Sequence, residues 1–479
     1  MMQKMFYRSF LLSALFYLLL FYFSTNAEGN SSIPLVNPDE LSYRQIQFVL
    51  PQAKRILLDN GIILYIFEDH ELPLVNISAV IRTGSNYDPA GKEGLAELTG
   101  TLLRTGGTQS ISADAIDESL DFFAGSLSVS MSRDSGSLSL SVLKDNLDEG
   151  LHIFSQVMTN PAFEESKIAL AKKLKIEDLR RIADDPQKLA FRELKRFLYG
   201  DNPAGRLPSI TSVHNVQRDD LIRFYTQFFY PKNTMIAVSG DISSEQAIMK
   251  IKKYFGSWDK SIQHFTQPPI PAKQKGHIYF LSKDIPQSVI ITAQLAPGKK
   301  NPDTYAVELL DFILGSGGFK SRIFQQIRNN LGLAYSTGSF YTKLSGYGVF
   351  GAYAMTKSEK TANVLSQIQS LIRDVKTTVI DNKELESAIK SIHDNFIFSF
   401  HSAEQIALQQ LMMEYDDLPG DYLAQYRDRI AKVRTEDLMR VANKYLSLDD
   451  AVILVVGNET AYNQLVSSFK SVSRIEGSL

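Results

Sequence analysis

Arg328 and Tyr335 bracket a short turn in the stretch FKSRIFQQIRNNLGLAYSTGSFY, Phe319 to Tyr341. A guanidinium carries five N–H donors and a phenol one O–H. Brought to one side of a turn, the two can hold a peptide carbonyl or stabilise an oxyanion forming in its place. The same residue types also have a plain structural use, as a cation favoured at a helix C-terminus beside a packed core tyrosine. The residues alone leave both readings open.

Other chemistry is thin. The seven histidines are His70, His152, His214, His264, His277, His393 and His401. No two stand at the i, i+4 spacing that pairs imidazoles on one helix face. With no cysteine in the chain, a zinc site would have to be assembled from scattered histidines and carboxylates. No G-x-S-x-G elbow occurs. Gly315-Ser316-Gly317-Gly318-Phe319-Lys320-Ser321 has the look of a phosphate loop. Phe319 stands where that loop needs glycine, so a helix-start turn is the better reading.

The elements that must carry Arg328 and Tyr335 follow from periodicity. Phe319, Ile323, Phe324 and Ile327 predict one apolar helix face. Gly332 predicts a left-handed cap, and Leu333 to Tyr341 a strand. Upstream, Arg55 to Glu68 predicts a hairpin turned by Asp59-Asn60-Gly61. Leu74 to Thr83 alternates as a strand, and Leu95, Leu98, Leu102 and Leu103 share a face of a helix over 91–105. Val216 to Asp241 can be laid without a gap on Val433 to Asn458, with Val216, Asp220, Leu221, Arg223, Val238 and Gly240 meeting identical residues. Each copy reads helix, loop, apolar strand, glycine, and each comes near the end of one half of the chain. Strands followed by runs of helices, twice over, predict an α+β protein of two tandem halves. Each half is expected to be an antiparallel sheet packed with helices. The predicted halves are 28–260 and 276–479, joined by a proline-bearing linker at 261–275.

Charge is nearly balanced, with 51 basic residues facing 53 acidic ones, so nucleic acid and anionic membrane are not expected partners. Residues 1–27 read as a signal peptide, with Lys4 and Arg8 before an apolar run from Phe10 to Phe23 that is too short to span a bilayer comfortably. The lack of cysteine excludes a lipoprotein anchor and disulfides, and export without disulfides fits a bacterial periplasm. A periplasmic or secreted location is expected, an uncleaved anchor being the alternative.

With these residues placed, a family likeness emerges. GSGGFKSRIFQQIRNNLGLAY, Gly315 to Tyr335, resembles the second-half signature of the insulinase/pitrilysin peptidases. GKEGLAELTGTLLRTGGT, Gly91 to Thr108, resembles the first-half helix that carries the family's inverted zinc motif, H-x-x-E-H. The likeness extends over nearly all of the chain after residue 27, including the Pro-Ala-Phe-Glu-Glu stretch at Pro161. It implies a clam-like chamber built from the two halves. At the motif itself the chain departs from the family. Glu97 and Thr101 occupy the histidine positions and Gly100 that of the catalytic glutamate, while the third-ligand position falls near Glu177 or Asp178. Glu97, Thr101 and a further carboxylate would at most hold a hard ion weakly, and a solvated helix face is the preferred reading. Without zinc and its general base, water is not activated.

The resemblance also implies that Arg328 and Tyr335 are the family's retained arginine–tyrosine pair, which contacts substrate near the scissile bond. The expected function is therefore the non-zinc subunit of a heterodimeric zinc peptidase. This chain would bind no cofactor, and the zinc would sit in a paralogous partner. The alternative is a scaffold or peptide-binding protein of the same fold, and a homodimer is possible if the chain is expressed alone.

Overall fold

The twelve strands among the described residues fall into two six-stranded sheets that share their order over five strands and differ in the sixth. The computed structural model describes residues 48–259 and 265–477, so the expected signal segment at 1–27 lies outside the described residues. In the first sheet, β1 (Lys54–Leu57) and β2 (Ile63–Glu68) form the predicted hairpin. β3 (Leu74–Arg82), β4 (Ser126–Met131), β5 (Ser135–Leu143) and β6 (Thr234–Gly240) complete it in the order β1-β2-β6-β3-β5-β4. The second sheet comprises β7 (His277–Ser282), β8 (Gln287–Ala296), β9 (Ala334–Lys343), β10 (Gly348–Lys357), β11 (Val452–Gly457) and β12 (Val472–Ile475). Its order is β12-β7-β11-β8-β10-β9.

Among the helices, α1 (Leu95–Thr105), α2 (Glu165–Asp184), α3 (Pro186–Tyr199), α4 (Arg218–Phe228), α5 (Ala403–Tyr415) and α6 (Thr435–Tyr445) bear on the site or its support. The internal repeat is α4 with β6 and α6 with β11. Its shared residues have matching jobs. Asp220 and Asp437 accept from the backbone N–H groups of Gln217 and Arg434 at the two helix starts. Each also pairs with the arginine one turn on, Arg223 or Arg440. Carboxylates in a first helical turn meet the positive end of the helix dipole, so the repeat keeps a start signal along with the strand it feeds.

Two expectations need amendment. The sheets are mixed, because β2 runs parallel to β6, and β7 parallel to both β11 and β12. A strand reached after a long helical excursion can enter in the parallel sense that a short hairpin forbids, and β6 and β11 both arrive that way. Phe319, placed by periodicity on the apolar face with Ile323 and Ile327, is instead 75% exposed. The backbone at Gly318–Lys320 is a separate 3₁₀ turn, so Phe319 precedes the helix and does not share its face.

From Leu50 onward the chain is one compact unit, and its halves are cross-braced. Along β3, Val75, Ile77, Ala79 and Ile81 point into the first half's core with α1 and α4. Val80, on the opposite face as the strand period requires, packs with Tyr65 and Ala237 under Ala407, Leu411 and Tyr415 of α5, a second-half helix. In return, Leu189, Leu194 and Leu198 of α3, a first-half helix, pack on Val289, Ile291 and Leu454 of the second sheet. Each sheet is thus covered on one face by a helix of the other half. The described residues 265–276 hold no regular structure, and Phe265 is anchored against Tyr87 and Phe228 at ring distances of 5.3 and 5.0 Å. No helix among the described residues is long and apolar enough to cross a membrane.

Candidate functional site

The arginine–tyrosine turn is held by unusual backbone. Residues Phe324–Asn330 form a π-helical stretch, and the Leu331 N–H bonds back five residues to Gln326 at 3.2 Å. Such widened turns concentrate at functional sites. Arg328 lies in its last turn, with the guanidinium over the Phe324 ring at 4.9 Å. Ile323 and Ile327 are fully buried beneath it. Arg322 grips Glu384 through two hydrogen bonds of 2.9 and 2.6 Å, tying the stretch to the helix Asn382–Asn395. Gly332 then takes φ 59°, the left-handed cap read from the sequence, and the Leu333 N–H closes the turn on the Ile327 carbonyl at 2.9 Å.

Tyr335 follows at a break in the ladder. Met355 pairs with Ser336 and Thr356 with Ala334, so Tyr335 has no partner on β10. A bulge of this kind turns a side chain out of the sheet's regular alternation, and Tyr335 is 67% exposed. β9 is the edge strand of its sheet. Close approach beneath it needs Gly315, whose missing Cβ would stand 2.2 Å from the Ser339 nitrogen. Burial raises the carboxyl of Asp311 to a pKa of about 6, although the Ser339 hydroxyl donates to it. Arg328 and Tyr335 are therefore both exposed, and neither hydrogen-bonds to a protein group among the described residues. The packed core tyrosine considered for Tyr335 is not what the fold contains.

The altered metal motif lies on α1, in the first half. Asp88 accepts from the N–H groups of Gly94 and Ala96 at 2.7 and 2.8 Å and so caps the helix start. Burial raises its pKa to about 7 against the pull of those two bonds. Glu97 and Thr101 lie on the exposed side of the helix, as the solvated-face reading expects, but Glu97 is engaged by an ion pair with Lys175 of α2. The Thr101 hydroxyl donates to the Glu97 carbonyl at 3.0 Å. A Cβ on Gly100 would stand 2.6 Å from Met131 Cγ of β4, so the methionine side chain fills the space a glutamate there would enter. Of the carboxylates considered for a third ligand, Glu177 pairs with Arg180 and Asp178 is exposed. The wall of α2 that faces this corner is Lys175, Leu179 and Ile182. A paired carboxylate, a neutral hydroxyl and an ammonium do not make the nitrogen- and carboxylate-rich shell that zinc requires. No group of three metal-ligating side chains occurs among the described residues. These residues do not fit the metal.

Behind the motif is a cavity of about 640 Å³ lined wholly by first-half residues. The sequence reading missed its character. Lys188, Arg192 and Lys195 sit at i, i+4 and i+7 on α3 and all line it, a basic stripe visible in PQKLAFRELKRFLY. Met131 and Lys175 carry no comparable signal, since their significance depends on which strand and helix lie beside α1.

Two family models match the chain. Residues 65–208 match the insulinase (peptidase family M16) model, and residues 215–392 match the peptidase M16 inactive domain. A Rickettsia bellii protein described as an uncharacterized zinc protease is 24% identical over 412 residues, covering 84% of this chain and 96% of that one. The Helicobacter pylori zinc protease PqqE is 24% identical over 433 residues, covering 87% and 95%. A crystal structure of a peptidase M16 inactive domain from Pseudomonas fluorescens superposes with a TM-score of 0.79 at 25% identity, covering 85% of this chain and 98% of that one.

Proposed function

Since this chain belongs to the insulinase (M16) peptidase family and lacks the zinc motif, we propose that it is the non-zinc subunit of a two-chain peptidase. In this reading a paralogous partner holds the zinc, and this chain supplies part of the chamber wall with Arg328 and Tyr335 as substrate-contacting donors. The observation that carries the proposal is the contrast between the two corners. At α1 no motif position keeps the imidazole or glutamate the motif requires there, and each is engaged or filled. At β9 two strong donors stand exposed on backbone shaped by a π turn and a bulge. Donors prepositioned without protein acceptors can be satisfied by a bound peptide carbonyl, and they act most strongly when that oxygen gains charge.

The partner, its zinc and the location after export are parts of the same proposal. The test is reconstitution with a zinc-bearing M16 chain that has an intact H-x-x-E-H, followed by peptide cleavage. Arg328→Ala and Tyr335→Phe are each expected to lower kcat about 10- to 100-fold while the two chains still co-purify. Unchanged turnover in both variants would return the pair to a structural role.

A further inference from the structure

The cavity behind α1 has more positive charge than its own carboxylates answer. Its charged lining comprises Arg133, Lys175, Lys188, Arg192, Lys195 and Arg206 against Asp88, Glu97 and Asp185. Each of the three carboxylates is already engaged. Asp88 caps α1, Glu97 is paired with Lys175, and Asp185 pairs with Lys188 at 3.5 Å while capping α3 through the N–H groups of Gln187 and Lys188, both at 3.0 Å. Of the remaining cations, Arg133 donates to the Tyr199 hydroxyl at 2.6 Å, Arg192 to the Pro208 carbonyl and Arg206 to the Asp88 carbonyl at 3.4 Å. The acceptors of Arg133 and Arg206 are neutral. Arg192 also lies 3.8 Å from the buried Glu193 carboxylate, which Arg196 holds at 2.7 Å, so its charge is answered within the protein. Lys195, an exposed residue, makes no hydrogen bond or ion pair among the described residues, and its ammonium pKa is lowered by partial desolvation and by the charges of Arg133 and Arg192.

Cations that repel one another are stabilised by an anion between them. The rest of the lining includes apolar Leu179, Ile182, Phe191 and Leu207. The site therefore suits an anion carried on an organic body better than a bare ion. Phe191, one of its lining residues, packs its ring against Phe340 of β9, the strand that carries Tyr335, at 5.7 Å.

We propose that this cavity is a carboxylate-binding site that anchors an acidic peptide through Arg133 and Lys195. The inference rests on the reading of the chain as a peptide-handling subunit, but it concerns binding and needs neither zinc nor a partner. The carboxylate can come from an acidic side chain or from a peptide's C-terminus.

The test is fluorescence anisotropy on the isolated full chain with three labelled peptides of one length: neutral and amidated, neutral with a free C-terminus, and amidated with an internal glutamate. At least one carboxylate-bearing peptide is expected to bind about 10-fold or more tighter than the neutral amide, and which one does so identifies the source. Lys195→Gln is expected to abolish that preference with an unchanged Tm, while Lys167→Gln, which removes a charge outside the cavity, leaves it intact. Equal binding of all three peptides, or a preference that survives both Lys195→Gln and Arg133→Gln, would overturn the proposal. So would inorganic phosphate binding that depends on Lys195 without any preference among the peptides. A Lys195-dependent preference combined with unaltered cleavage by Arg328→Ala would instead leave this site standing and remove the role proposed for the arginine–tyrosine pair.

Discussion

At the residue scale, Asp88 shows how the fold keeps α1 in place at an electrostatic cost. Its carboxylate is buried, with 4% exposure, and caps the helix start, yet it retains a pKa of about 7 against an ordinary 3.8 because desolvation outweighs its two backbone hydrogen bonds. A carboxyl whose pKa is raised on folding binds its proton more tightly in the native state. Its contribution to stability is therefore fully present below about pH 4 and is lost as pH rises through about 7. Asp88→Asn stays neutral throughout. Relative to that variant, the natural protein should gain about 2–4 kcal/mol as pH falls from about 8 to about 4. Urea unfolding of both proteins across that range checks this, and a gap that does not move with pH would show that Asp88 titrates normally.

At the scale of single elements, α1 explains both what the sequence reveals and what it hides. Leu95, Leu98, Leu102 and Leu103 announce the helix because burial of one face needs only local spacing, and all four are buried. The repeat announces β6 and β11 for a similar reason, since the Asp–Arg start signal and the apolar strand are contiguous. The helix Ser244–Phe255 and the strand β12 fall outside the elements read from sequence, although Ser243 does cap the Gln246 N–H. Tyr335 can be placed on a strand from sequence, but its bulge is a property of the register with β10. Met131 and Lys175 cannot be placed at all, because each reaches α1 from another element. Their importance yields a prediction. Restoring the motif with Glu97→His, Gly100→Glu and Thr101→His should leave zinc substoichiometric, because the glutamate would press on Met131 at about 1–3 kcal/mol of overpacking and Lys175 would repel the cation. Adding Met131→Ala and Lys175→Gln should raise bound zinc. Metal analysis of purified chains decides it, and one equivalent of zinc in the triple variant would show that neither neighbour is an obstacle.

At the scale of the whole molecule, the two homologous halves could in principle unfold separately, as tandem repeats often do. The exchange of α3 and α5 argues against it. Each sheet's second face is apolar only because a helix of the other half covers it, and separating the halves would expose both faces together. Polar contacts lock the α5 side of this arrangement. Arg55 and Tyr65 of the first half both bond to Glu414, Arg55 through two contacts of 2.6 Å and the Tyr65 hydroxyl through one of 2.6 Å. The Glu414 carboxylate is held below its usual pKa chiefly by the Arg55 guanidinium. Leu411 is fully buried at the centre of the seam. Leu411→Ala should cost about 2–5 kcal/mol and lower one cooperative transition as a whole, because the cavity is shared by both halves. Differential scanning calorimetry distinguishes the outcomes: a single shifted peak supports cross-bracing, whereas a split endotherm with one component unmoved would show that the halves are thermodynamically independent.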